Sequence, residues 1–209
     1  MAYGDLTTFN SLRQWLDVTT AIPAGDNAML EGMITSASDW IHNWMNRFFP
    51  LADYEEKRNG EGGVGMVVAN YPVISVLSLF IDDREIPHAA NLSAVGYRFN
   101  DTSIALRGHR FTRDLLNVVI QYRAGFARIP PSVSQACNEL VAKQYRERSR
   151  IGVKQETIVG VDSYTYNVTD LLPDTRSALL VLRNVVPISS SSRRLAPTQT
   201  DPTLIAAAL

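Results

Sequence analysis

YRAGFARIPPSVSQACNELVAKQYRERSRIG, residues 122–152, is the stretch on which the reading of the whole chain turns. It passes from the end of a strand through a glycine turn and a double proline into a long helix ending in arginines. Gly125 ends the strand, and Pro130 and Pro131 fix the entry into the helix. Ser132 with Gln135 has the form of a capping box. Val133, Ala136, Cys137, Leu140, Val141 and Tyr145 recur at helical spacing and predict its buried stripe. Arg146, Arg148 and Arg150 fall near the helix C-terminus, where positive charge suits the macrodipole, and Gly152 is placed to follow its end. The stretch is highly specified and holds no plausible chemistry, which points to a structural or assembly protein.

Upstream, Phe9, Leu12, Trp15 and Leu16 predict a helix over residues 7–17 capped by Thr7 or Thr8. Asp26 is a good N-cap for a longer helix over residues 26–48. Its apolar residues from Met29 to Phe48 recur at three and four, with Trp40, Trp44 and Phe48 as an aromatic stripe expected in the core. Pro50 is expected to stop it. The period then shortens. Tyr54–Arg58 and Met66–Ala69 flank a glycine-rich segment and read as a hairpin. Val73–Ile81, Tyr97–Phe99, Ile104–Leu106 and Leu115–Tyr122 read as further strands, with Asp82-Asp83 as a turn. Residues 153–168 read as a loop or hairpin and residues 174–183 as a short helix. From Pro187 the chain becomes rich in Ser and Pro and ends in the apolar tip Leu204–Leu209. The predicted fold class is α+β: a helical bundle (residues 7–17, 26–48, 131–150 and 174–183), a β-rich insertion at 51–123, and a C-terminal arm at 187–209 following a domain at 1–186.

The 209 residues are 45% hydrophobic with a mean hydropathy of −0.06, enough for a sizeable core. No apolar run approaches the ~18 residues of a membrane span, and the N-terminus lacks the features of a signal peptide. One cysteine, Cys137, rules out an intrachain disulfide framework. Residues 1–101 hold 13 acids and 6 bases, and residues 102–209 hold 8 acids and 14 bases. Such polarity suits head-to-tail pairing of unlike surfaces, although halves of a sequence need not be halves of a surface. Of the 20 bases 17 are arginine, the cation favoured at interfaces.

Candidate chemistry is sparse. Gly60, Gly62, Gly63 and Gly65 lack the Lys-Ser/Thr and helix of a phosphate loop. Gln135-Ala136-Cys137 echoes a protease triplet, but Cys137 lies on an apolar helix face, as a structural thiol does. His42, His88 and His109 are scattered, and no His or Cys spacing suits a metal. Asp82, Asp83 and Glu85 could hold a divalent ion but read better as a solvated turn. No catalytic residue, cofactor or metal site is expected. The one real cluster is Lys143, Arg146, Arg148, Arg150 and Lys154, suited to a solvated helix end, an acidic partner or DNA.

The order of elements resembles the head–tail connector (adaptor) proteins of tailed bacteriophages. The resemblance rests on Arg47-Phe48-Phe49, Tyr54-Glu55-Glu56 leading to Gly60, Pro72–Val76 followed by Asp82-Asp83, Val118–Tyr122 running into Ala124-Gly125-Phe126, and Tyr145–Arg148 before Gly152. It implies a non-enzymatic ring, usually of twelve copies, docked on the portal protein in the virion neck. That ring extends the DNA channel without sequence specificity and carries the next neck or tail completion protein; assembly is in the host cytoplasm, without a membrane. The arm, with Arg193, Arg194, Leu195, Leu204, Ile205 and Leu209, is then a candidate portal contact, and Lys143–Lys154 a candidate channel or inter-subunit surface. The alternative is a small DNA-binding or regulatory protein using Lys143–Lys154.

Overall fold

In chain order the elements are α1 (Phe9–Trp15), a 3-10 turn (Ala24–Asp26), α2 (Asn27–Trp44), β1 (Ala52–Gly60), β2 (Gly65–Val67), β3 (Val73–Ile81), β4 (Arg84–Glu85), β5 (Gly96–Phe99), β6 (Ser103–Arg107), β7 (Asp114–Ala124), α3 (Pro131–Glu147), β8 (Gln155–Ile158), β9 (Asp162–Thr165), α4 (Pro173–Leu180) and β10 (Ser191–Arg194). They come from a computed structural model that describes residues 2–16, 24–148, 155–158, 162–165, 171–184 and 191–195. The class is α+β. The chain divides into two compact units, residues 1–49 with 128–184 and residues 50–127 with 185–209.

In the first unit α3 packs against α1, α2 and α4. Its stripe Val133, Ala136, Cys137, Leu140 and Val141 is buried, as are Leu12 of α1, Leu30, Ile34, Ala37 and Ile41 of α2, and Leu179 of α4. Each large aliphatic buried this way contributes about 1.5–3 kcal/mol. A polar seam fixes the register. Thr7 donates its hydroxyl to Asn138 Oδ1 at 2.7 Å, and Asn138 Nδ2 donates to Ser11 Oγ at 3.1 Å. Ser134 Oγ donates to the Leu6 carbonyl at 2.8 Å. Asn138 is buried, so both ends of its amide need these partners.

The helix ends depart from the sequence reading. The exception is α1, which Thr8, one of its two expected caps, does cap, its hydroxyl accepting from the Ser11 N–H. Asp26 occupies the N-cap position of α2 but caps nothing; its carboxylate is drawn to α3 instead. Pro50 is not what stops α2. The helix ends at Trp44 because Asn46 turns left-handed (φ +48°). The Arg47 N–H then reaches the His42 carbonyl at 3.0 Å and the Asn46 N–H the Asn43 carbonyl at 3.1 Å, a Schellman closure with Asn as the C′ residue. The capping box at Ser132 does not form: Pro130 holds the N-cap position with Pro131 at N1, and the prolines alone set the start. Trp40 lies 38% exposed, outside the core where the aromatic stripe was expected. Gly152 and residues 149–154 lie outside the described residues.

The second unit holds a five-stranded antiparallel sheet in the order β10-β1-β7-β3-β4 and a three-stranded sheet β2-β6-β5. The expected β1–β2 hairpin is absent: β1 pairs with β7 and β10, and β2 pairs with β6. The glycine-rich segment between them is held by the 106–111 strip instead, through Gly62 N–H to the Phe111 carbonyl (2.6 Å) and Phe111 N–H to the Gly63 carbonyl (2.9 Å). Asp82 and Asp83 have φ of +52° and +60°, the geometry of a two-residue turn with both centres left-handed, and join β3 to β4 as expected. Ser191–Arg194, read from the sequence as part of an arm without a folding pattern, forms the edge strand β10.

Gly125 ends β7 with φ +117°, and a Cβ there would lie 2.5 Å from the Pro50 carbonyl oxygen. Both the dihedral and the space demand glycine. Gly125→Ala is expected to lower the unfolding free energy by about 1–3 kcal/mol, read by urea denaturation; an unchanged midpoint would contradict the constraint.

Candidate assembly interfaces

The basic cluster is partly spent within the chain. Arg148 pairs with Asp26 at 3.2 Å, and its guanidinium lies 4.0 Å from the Tyr145 ring centroid. Tyr145 also donates its hydroxyl to Asp26 at 2.9 Å. These three residues tie the start of α2 to the end of α3. Arg146 is exposed and Lys143 half-buried; Arg150 and Lys154 lie outside the described residues.

Of the candidate arm contacts, Arg193 and Arg194 stand in β10, and the Leu195 N–H donates to the Asp53 carbonyl at 2.8 Å. Leu204, Ile205 and Leu209 lie outside the described residues. Asp82, in the candidate ion turn, accepts from the Thr112 hydroxyl and from Asn117 Nδ2 at 2.8 Å. These bonds, the Thr112 one first, hold its carboxyl below the usual range. Cys137 is buried, with Ser38 Oγ at 3.6 Å from its sulfur, and burial pushes its thiol up to about 11. His42 Nε2 lies 2.9 Å from the Gly4 carbonyl and Nδ1 3.1 Å from the Arg47 carbonyl, so both ring nitrogens serve the fold. Among the described residues no group of three His, Cys, Asp or Glu is placed to hold a metal, and no helix is long and apolar enough to cross a membrane.

What each unit offers instead is apolar and aromatic surface. In the first, Trp40 stacks on Trp44 with ring centroids 5.6 Å apart, Arg176 of α4 lies 5.9 Å from the Trp44 ring, and Leu180, one turn beyond, is exposed. Trp and Arg side by side are characteristic of interface anchors. In the second, the ladder of β3 slips between Val73 and Ser75 and again between Val76 and Ser78. The residues left out of register, Ile74 and Leu77, are 52% and 60% exposed. Bulges of this kind blunt a sheet edge while aiming side chains outward. At the start of β7, Leu115 is 74% exposed. Leu116 beside it has φ +51°, a rare state for leucine, with its N–H given to Asn59 Oδ1 at 2.7 Å. The bulges have no sequence signature. The Trp40 exposure had one: at about 100° per residue Trp40 lies roughly 100° from Ile41 and 120° from Ile34 around the helix, off the buried face.

On β1 itself sits a buried group to which the sequence reading gave no structural role. Glu56 is fully buried. Its Oε2 accepts from the Tyr122 hydroxyl at 2.6 Å and the Ala69 N–H at 3.0 Å, and Arg58 Nε lies 3.5 Å from Oε1. A buried carboxylate is tolerated only with such donors. Burial first, and the Glu56 charge second, push the Tyr122 hydroxyl pKa well above the ordinary tyrosine value.

A family model described as head completion protein matches residues 5–185. Solved structures share the fold. A chain in the neck of an empty GTA particle computed with C6 symmetry is 18% identical with a TM-score of 0.56, covering 90% of this chain and 95% of that one. A chain in the virion of the native gene transfer agent (GTA) particle is 18% identical with a TM-score of 0.54, covering 90% and 94%. One in the neck of the native GTA particle computed with C12 symmetry is 19% identical with a TM-score of 0.51, covering 90% and 94%. No curated protein matches by sequence.

The Tyr122–Glu56 pair gives a pH signature. With its pKa raised in the folded state, Tyr122 stabilises fully below the ordinary tyrosine value near 10, and that contribution is lost as pH rises above it. Tyr122→Phe is expected to cost about 1–3 kcal/mol at neutral pH and to flatten part of the alkaline fall in stability. Equal stability at neutral pH would contradict the role given to this bond.

Proposed function

This chain belongs to the head completion protein family, whose model it matches over residues 5–185, and from that membership we propose a structural head-to-tail adaptor of the virion neck. The family match carries the reading. The shared fold with chains of GTA necks supports it, and those necks were computed with C6 and with C12 symmetry. A ring of twelve copies satisfies both symmetries, since a twelvefold ring contains a sixfold one. In this reading the ring docks on the portal protein, continues the DNA channel and carries a neck or tail completion protein on its far side.

The chain's surfaces suit that work. A closed ring of identical subunits needs two unlike patches on each copy. The Trp40–Trp44–Arg176 patch and the outward Ile74 and Leu77 are candidates for contacts with neighbouring copies or neck proteins. The reading is non-catalytic, supported by the way Cys137, His42, Asp82 and Glu56 are each engaged by the fold. Arg146, with Arg150 and Lys154, is proposed for the channel or a neighbouring subunit, where contact with passing DNA must be weak and independent of sequence. The alternative of a dedicated DNA-binding protein loses Arg148, which serves Asp26 and Tyr145.

Particles made without this chain are expected to accumulate as tailless heads, and addition of the purified chain is expected to restore tail joining, counted by electron microscopy. Normal tailed particles in its absence would overturn the proposal.

A further inference from the structure

The outer edge of β1 is a built seat for an extended peptide, and the chain fills it with its own residues 191–195. Tyr54, Glu55, Glu56 and Lys57 pair antiparallel with Arg194, Arg193, Ser192 and Ser191, and the Leu195 N–H continues the ladder to Asp53. Alternation along an antiparallel pair therefore points the N–H groups of Glu55 and Lys57 at β10. The register sets Glu55 directly across from Arg193, and the Glu55 carboxylate accepts from Gln121 Nε2 of β7 at 3.1 Å.

A second tie runs through side chains. Glu56 Oε2 accepts a hydrogen bond from the Tyr122 hydroxyl. The Tyr122 oxygen accepts from Asn70 N–H at 3.2 Å and Asn70 Nδ2 at 3.1 Å. Asn70 Nδ2 uses its other hydrogen on Ser192 Oγ at 2.8 Å. The seat is thus wired to the buried carboxylate of its own sheet, and the strand is recognised by backbone pairing together with one side-chain contact, as in strand addition to a sheet edge.

We propose that β1 is a strand-acceptor site, filled in cis by residues 191–195, and that it divides the C-terminal segment into a clasp (191–195) and a reach (196–209). In this division Arg193 and Arg194 belong to the clasp, and only the residues after Leu195 are available to the portal. The reach rests on the adaptor reading; the clasp does not.

Three forms of the chain test it: residues 1–209, 1–195 and 1–190. Hydrogen exchange at Glu55 and Lys57 is expected to be equal in the first two and on the order of tenfold faster or more in the third. A synthetic peptide of residues 190–195 is expected to restore protection to the 1–190 form. Equal protection in all three would overturn the clasp. Should the 1–190 form fail to fold, the full chain carrying Glu55→Cys and Arg193→Cys decides the matter. An oxidised crosslink within one chain supports the clasp; a crosslink only between chains, or none, overturns it. Cys137 is buried and does not compete. Portal joining is scored separately: its loss in the folded 1–195 form supports the reach. Its full retention overturns the reach and leaves the clasp standing.

Discussion

A carboxylate sealed inside a sheet governs the second unit. Glu56 is fully buried, and an ionised carboxyl in that position is stable only if donors surround it. Tyr122 on β7 and the Ala69 N–H donate to one oxygen, and the Arg58 guanidinium sets its charge 3.5 Å from the other. Meeting that demand fixes the position of β1 against β7, draws in the 69–70 segment, and through Asn70 reaches β10. The pairing of strands 60 and more residues apart in sequence is therefore pinned by chemistry as well as by the backbone ladder. The first unit meets the same demand differently. Its helices bury aliphatic faces around α3, and Asn138 distributes two hydrogen bonds to α1 and the segment before it.

Polar groups that look free in a sequence turn out to be structural. Asp26, the expected cap, links Tyr145 and Arg148. His42 has backbone partners at both ring nitrogens, the Gly4 carbonyl at Nε2 and the Phe49 N–H at Nδ1. Asp82 is held by Thr112 and Asn117. Groups so occupied leave the outward aromatic and aliphatic side chains as the surface that a partner can recognise. That distribution suits a protein whose work is to be held in place by neighbours.

Much of this was legible in advance. The 3.6-residue pattern gave α2 and α3 within a few residues, because a stripe facing a core is a strong constraint. The β-branched run Val73–Ile81 and the run Leu115–Tyr122 marked strands for the same reason. Partners were not legible. Alternation marks a strand but says nothing about which strand it pairs with, and so β1 was joined to β2 across the glycines rather than to β7. Ser191–Arg194 has neither β-branched residues nor alternation; it is a strand only because β1 offers an edge. The capping box at Ser132 failed because Pro130-Pro131 had already set the helix start. The interface candidates at Ile74 and Leu77 arise from bulges, which depend on the fit of β3 to β7 and leave no trace in composition.

This chain belongs to the head completion protein family, and each of its two units shows how such a subunit holds itself together while keeping aromatic and aliphatic groups outward. The most direct measurement is a reconstruction of the neck in intact particles. The account predicts a closed ring of twelve copies of this chain between portal and tail, with the outward apolar residues of α2 and β3 buried against neighbours. Density for the chain in the capsid shell or the tail tube, or no ring at the neck, would contradict it.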